Sequence, residues 1–521
     1  MSVVQQALRG RHLLVTGATG FVGKVWLSHL LAHVPEIGRV TLLVRSTRRR
    51  SARERLAEMI DTSPAFRPLK DQWADAWAER LDAVLDVVDG DVTQPMCGLS
   101  AETRARLAAS VDLTLHIAGL TDFQPDPKAG VPANLEGTAH VADLVETFQH
   151  RRLLHVSTCF VAGEAQGLAP EQLTPGLSPL GRVIDLDGAR RALLEIARRP
   201  GTPQDRIDAA MEIARGLGWP NLYTLTKGLA EHLLLQRPGL DVVITRPSVV
   251  ECARSWPFAG WNEGLNTSAP IMWFCGTPFL QLPSVGHHKF DIVPVDAVAR
   301  AMTLHAALHL EGRAERIWQV GTSDHNPTTF GRIIELTALG KRRHVRRPFA
   351  TVFERAIAHL DVRPGPVEPP HPFHPGAAER LLARVRRALE GAPDRRGALG
   401  RLARAAPERV KSARREVTRQ HRAMAQLQRM LEIYRPFIHD HDWTFVTEHL
   451  RRAQATLGPA DAPFVDDLRS MCWRRYWLEV QYPGVTRWCF PIMDGLEIAS
   501  DPPSDPPLAL GRTAARLQGA A

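Results

Sequence analysis

The sequence predicts an α/β protein built on a doubly wound parallel sheet, with a mostly helical C-terminal domain. Three observations lead there. Short apolar runs alternate with helix-length segments over the first 250 residues. A glycine-rich turn stands where the first apolar run gives way to a helix. After about residue 340 the alternation stops and long arginine-rich helical stretches replace it.

The strand candidates in order are His12–Thr16, Val40–Val44, Val84–Val88, Leu113–Ile117, Leu153–Ser157 and Val242–Thr245. Each is short and dominated by Val, Leu or Ile, as strands buried on both faces must be. Between them Val22–His33, Ser100–Ser110 and Thr138–Gln149 show helical spacing. An insertion with two more helical stretches, Ala189–Arg198 and Asp205–Arg215, spans about 164–220. A second, about 254–290, is rich in Pro, Gly, Trp and Phe and reads as an irregular cover over something apolar. Regular structure resumes at Asp291–Ala299. The expected division is a body at 1–340, a helical domain at 341–500 and a loose Pro-rich tail at 501–521.

Composition narrows the class. The 521 residues carry 65 basic and 56 acidic side chains, a formal charge of +9. The segment 376–430 alone holds 15 basic against 5 acidic residues, so the rest is close to neutral and nucleic-acid binding is not expected. The 6 cysteines are far apart with no C-x-x-C, which excludes a disulfide scaffold and a cysteine-built zinc site. His287 and His288 have no carboxylate at ligand spacing, so no metal is expected. No apolar run reaches the ~18 residues of a spanning helix. The N-terminus meets a strand too early for a signal peptide, which points to the cytoplasm.

The turn after the first strand reads Val15-Thr-Gly-Ala-Thr-Gly-Phe-Val-Gly23. Gly17 permits a tight turn, Gly20 lets the backbone approach a diphosphate, and Gly23 lets the helix pack against the strand. Thr19, Phe21 and Val22 complete this binding turn, and the helix amides offer a positive dipole end to phosphate. The second strand ends in Leu43-Val44-Arg45-Ser46, without the acid that would bond a ribose 2′-hydroxyl. Arg45 can instead fork onto a 2′-phosphate, which favours NADPH. Asp91 and Val92, after the third strand, are placed to meet adenine.

Tyr223 and Lys227 lie four apart and share a helix face. An ammonium beside a phenol is expected to lower its pKa, so that it trades a proton with a reacting oxygen. Ser157 and Thr158 end the fifth strand and offer hydroxyls to a substrate carbonyl. Trp256, Phe258, Trp261, Trp273, Phe274 and Phe279 are candidate lining for an apolar channel.

Several words in the chain then fall in a familiar order. They are TGATGFVGKVWL (16–27), HIAGLTDF (116–123), NLEGT (134–138), HVSTCFVAG (155–163), GWPNLYTLTKGLAEHLL (218–234), ITRPSVVE (244–251) and DIVPVDAVA (291–299). With HDWTFVTEHL (441–450), they resemble alcohol-forming fatty acyl-CoA reductases. These are extended short-chain dehydrogenase/reductases of Rossmann fold, related to thioester-reductase domains. The resemblance implies a catalytic hydroxyl at Thr158, an acid at Tyr223 and a supporting cation at Lys227 that also holds the cofactor. It places Asn134 at a relay position, and Phe160 where the family more often has a hydroxylated aromatic.

The implied reaction is NADPH-dependent reduction of long-chain acyl-CoA through an aldehyde to a primary alcohol, releasing coenzyme A. The alternatives are an enzyme that stops at aldehyde, one that uses acyl carrier protein, and a long-chain aldehyde reductase. The basic 376–430 segment suits coenzyme A phosphates, an anionic membrane surface, or plain solvation.

Overall fold

The computed structural model describes residues 2–164, 166–265, 268–277, 279–345, 359–366, 374–390, 401, 405–493 and 496–498. The expected tail 501–521 lies outside them, as does much of 391–404.

The core is one parallel sheet of seven strands. They are β1 (His12–Thr16), β2 (Arg39–Val44), β3 (Leu85–Asp89), β4 (Leu113–His116), β5 (Arg152–Val156), β6 (Asp241–Pro247) and β7 (Ile317–Val320). Their order across the sheet is β3-β2-β1-β4-β5-β6-β7. Pairs such as Val15 with Leu42 and with Leu115 set β1 between β2 and β4. The order reverses at β1, so a crevice opens above the carboxyl ends of β1 and β4. This is a Rossmann-type sheet.

The sequence found six of these strands to within a residue or two. It missed β7, whose four residues Ile-Trp-Gln-Val include a polar one. Gln319 is nevertheless buried, because its amide donates to the carbonyls of Ala169 (2.9 Å) and Val446 (2.8 Å). Those partners are remote in the chain and leave no local trace.

Helix α1 (Phe21–His33) follows the glycine turn and is buried from Gly23 to Ala32. It packs against α6 (Val295–Leu310), where every residue except Arg300 is buried. Such all-round apolarity marks an inner helix. Between them in sequence come α2 (Gly137–Glu146), α3 (Leu186–Arg198), α4 (Pro203–Leu217) and α5 (Leu222–Leu235). Helix α5 is capped by Asn221, whose side chain accepts from the Thr224 amide at 2.9 Å.

The chain forms two compact units, cut differently from the expected 1–340 and 341–500. The first comprises residues up to Pro270, Asp291–Thr328 and the described residues from Trp443 on. Trp443–Phe445 pairs in parallel with Gly167–Ala169, and the Trp443 indole donates to the Gly163 carbonyl at 3.0 Å. The aromatic 470s and 480s bury Tyr476, Trp477, Tyr482 and Trp488 in this same unit. A local reading of the helical segment could not show that its end returns to the sheet body.

The second unit holds Ile271–Phe290 and Thr329–Asp442. It contains α7 (Phe330–Val345), α8 (Pro375–Glu390) and α9 (Pro407–Arg435), and α8 packs along α9. Along α9, Arg409, Arg414, Arg415, Arg419, Arg422 and Arg429 are all exposed. No helix among the described residues is long and apolar enough to cross a membrane. The cysteines are free; Cys472 is exposed and the others are buried.

Candidate active site

The glycine turn has distinct steric reasons at each position. Gly17 has φ +79°, and a Cβ there would lie 2.3 Å from the Ala118 amide nitrogen, so only glycine fits. A Cβ on Gly23 would lie 2.3 Å from the Gly17 carbonyl oxygen and 2.8 Å from the Ala18 Cα. Gly20 is different. It is exposed, with φ −88°, and a Cβ would meet nothing closer than the Gly17 oxygen at 3.5 Å. Nothing inside the protein requires glycine there; the free space faces outward, where a diphosphate would lie.

No side chain caps the N-terminus of α1, so its first amides face the same space. Thr19, Phe21 and Val22 are half-buried around it, and the Phe21 ring lies 5.2 Å from that of Trp261. The turn therefore fits a dinucleotide.

Arg45 sits just past β2, exposed, and its Nη1 lies 3.4 Å from Asp91 Oδ2. Asp91 is tied down locally: its Oδ1 accepts from the Thr93 amide (2.9 Å) and hydroxyl (2.8 Å). Burial alone would raise Asp91, but those bonds and the Arg45 charge hold it below the ordinary carboxylate value. Val92 is partly buried against the core of the sheet body, and its carbonyl meets His140 Nδ1 at 3.0 Å.

Thr158 and Tyr223 come together at the carboxyl edge of the sheet. Thr158 opens the short turn Cys159–Ala162 after β5, its Oγ1 accepts from the Phe160 amide at 3.3 Å, and it is close enough to Tyr223 to act on the phenol's ionisation. The Trp219 indole fixes this approach: it donates to the Val161 carbonyl at 3.0 Å. A Cβ on Gly228 would lie 2.5 Å from that ring, so the mid-helix glycine lets α5 close on the turn. In the first turn of α5 Tyr223 is half-buried, while Leu222 and the residues from Thr224 to Leu234 are buried.

Lys227 is buried and its Nζ donates to the Val156 carbonyl at 2.8 Å. Burial lowers its pKa to about 8, while the Glu231 carboxylate works against that fall. The phenol departs from expectation. Burial pushes Tyr223 up to about 12, the neighbouring Thr158 hydroxyl pulls it down, and Lys227 is not what governs it. The reason is direction: the ammonium points to a carbonyl of β5, so sharing a helix face does not make it the phenol's partner.

Ser157, the other hydroxyl of the pair, has a buried Oγ with no partner among the described residues. Asn134 is occupied: its carbonyl accepts from the Leu120 amide (2.7 Å), and its amide donates to the Leu120 carbonyl (3.0 Å) and Thr226 (3.2 Å). It shapes the loop beside Lys227, whose Phe123 carbonyl accepts from the Tyr223 amide at 3.3 Å.

Two proposed channel residues are packed elsewhere. The Trp256 ring lies against His29 and His33 of α1, and its nitrogen donates to Ser28 at 2.9 Å. Trp261 is 1% exposed, against Phe21. Both anchor loop 254–262 to α1, Trp261 as core and Trp256 half-buried. Phe258 lies near Trp488 (6.4 Å), and Phe274 stacks on Phe279 in the second unit (5.9 Å).

The sheet, the glycine turn and the hydroxyl pair at its rim define an NAD(P)-binding oxidoreductase of the short-chain dehydrogenase/reductase type. The male sterility protein family, an NAD-binding domain, matches residues 15–302. The chain is 32% identical over 351 residues to probable fatty acyl-CoA reductase 5 of Arabidopsis thaliana, covering 64% of this chain and 70% of that one. It is 28% identical over 352 residues to the alcohol-forming fatty acyl-CoA reductase of Simmondsia chinensis, covering 64% and 71%. In fold it is similar to the reductase domain of a non-ribosomal peptide synthetase from Mycobacterium tuberculosis, with TM-score 0.51 at 18% identity over 95% of this chain and 96% of that one. The chain belongs to the fatty acyl-CoA reductase family.

Proposed function

We propose that this chain reduces long-chain fatty acyl-CoA with NADPH, through the aldehyde, to the primary alcohol, releasing coenzyme A. The observation that carries this reading is the Thr158–Tyr223 hydroxyl pair beside the glycine turn at one sheet edge. Family membership and the alcohol-forming relative supply the substrate class and the extent of reduction. The exposed Arg45, with no acid at the end of β2, supports the 2′-phosphorylated cofactor.

When bound, the nicotinamide supplies the hydride. Gly17, Gly20 and Gly23, with the first amides of α1, would hold the diphosphate; Arg45 would hold the 2′-phosphate, and Asp91 and Val92 would meet adenine. Thr158 and Tyr223 direct their hydroxyls at the carbonyl oxygen as charge develops there. With its pKa near 12, Tyr223 stays protonated at neutral pH and has a proton to give the oxygen of the alcohol. Lys227, anchored on Val156, would hold the nicotinamide ribose. The exposed basic face of α9 suits coenzyme A phosphates or an anionic membrane.

The test is anaerobic incubation with NADPH and acyl-CoAs of several lengths, with products identified by mass spectrometry. Two NADPH consumed per thioester and a primary alcohol are expected; one NADPH and an aldehyde would overturn the alcohol assignment. Acyl carrier protein thioesters run in parallel decide the carrier. Tyr223→Phe is expected to bind NADPH and lose turnover.

A further inference from the structure

Helix α5 carries a third polar residue on the face of Tyr223 and Lys227. Glu231 follows Lys227 by one helical turn, and its side chain is fully buried. Arg246 of β6 meets it with a fork, Nε to Oε1 at 2.9 Å and Nη2 to Oε2, and is itself 4% exposed. The same arginine gives its backbone carbonyl to the Cys159 thiol at 2.9 Å, next to Thr158. Lys227 is bonded to Val156, two residues before Thr158. The helix is thus tied on both sides of the Thr158 turn.

A buried ion pair is weak as a stabilising device, because apolar residues of equal volume hold a fold as well. Its position suggests another role. The charged and titratable groups acting on Lys227 are His116 of β4, His155 of β5 and Glu231 of its own helix, with Arg246 of β6 behind Glu231 and Tyr223 one turn away on the same helix. Burial pushes His116 down to about 3 and His155 well below the ordinary imidazole value, so both are neutral. Tyr223 is neutral too. Among the described residues, Glu231 supplies the negative charge at the ammonium.

We propose that Glu231, held in place by Arg246, is a positioning residue that keeps Lys227 charged and so sets the upper pH limit of the reaction. This rests on reading Lys227 as the ammonium that holds the nicotinamide ribose beside the Thr158–Tyr223 pair. Neither Glu231 nor Arg246 needs to touch substrate; the pair acts through the lysine.

The experiment is the pH profile of kcat/KM for Glu231→Gln and Glu231→Gln/Arg246→Gln, with NADPH binding followed by its fluorescence. The double variant leaves no orphaned guanidinium and guards against misfolding of the single one. Both are expected to move the alkaline limb to lower pH by about one unit or more, so that the loss relative to wild type grows with pH. A limb that stays in place in a variant that binds NADPH, or a loss equal at every pH, overturns the proposal. Tyr223→Phe run alongside separates the claims. Turnover surviving there removes the reading of the site; turnover lost there with an unmoved limb removes only the role of Glu231.

Discussion

Replacing Gly20 and Gly23 by alanine, one at a time, divides what the protein needs from what its cofactor needs. At Gly23 the new Cβ would stand 2.3 Å and 2.8 Å from two backbone atoms that cannot swing aside. Overpacking of that kind costs ~1–3 kcal/mol, against a helix gain from glycine to alanine of about 1 kcal/mol. Because both clashing atoms belong to the backbone, the upper part of that range applies, ~2–3 kcal/mol, and a net loss of about 1–2 kcal/mol in stability is expected, with weakened cofactor binding because the turn itself must move. At Gly20 the nearest atom is 3.5 Å away and φ is −88°, so alanine meets neither clash nor strain. The poorer N-cap costs a few tenths to ~1 kcal/mol, and the stiffer unfolded chain returns ~0.4–1 kcal/mol. Folding should therefore change by no more than about 0.5 kcal/mol. A methyl group in the outward space should still cost NADPH at least about tenfold in affinity, ~1.4 kcal/mol. Denaturant unfolding and NADPH fluorescence titration measure the two quantities separately. Wild-type affinity in Gly20→Ala would refute the path of the diphosphate over that residue. Wild-type stability in Gly23→Ala would refute the packing argument.

Other outcomes follow from the same geometry. Wild-type turnover should fall as pH rises through about 8, since Lys227 loses its charge there while Tyr223, near 12, still holds its proton; a profile flat to pH 10 would contradict this. Thr158→Val should lower kcat by about a hundredfold with NADPH affinity unchanged, as expected for a donor aimed at developing charge. Arg45→Ala should raise KM for NADPH by about tenfold and leave NADH little affected, read from paired steady-state kinetics.

Much of the fold was readable because buried parallel strands are uniformly apolar and the glycine turn is local. Six strands, the turn and the Tyr223–Lys227 spacing all lie within short windows of sequence. What escaped depends on partners far along the chain. Gln319 hides a strand because its amide is satisfied by Ala169 and Val446. Glu231 meets Arg246 across α5 and β6, with no motif linking them. Trp256 and Trp261 read as cover for a channel, yet they pack on α1, because composition reports apolarity and not which apolar surface is met. Spacing does not show the lysine's effect on the phenol for a related reason: it fixes the face, whereas the Val156 carbonyl fixes where the ammonium points.

The pairing of Trp443–Phe445 with Gly167–Ala169 also bears on how the polypeptide is made and cut. The Rossmann strands leave the ribosome well before the segment that pairs with Gly167–Ala169, so the nascent body lacks that strand while the arginine-rich helices emerge. An expression fragment stopped near residue 340 would preserve that half-built state permanently. Recombinant versions should instead run past Trp488, which closes the same unit.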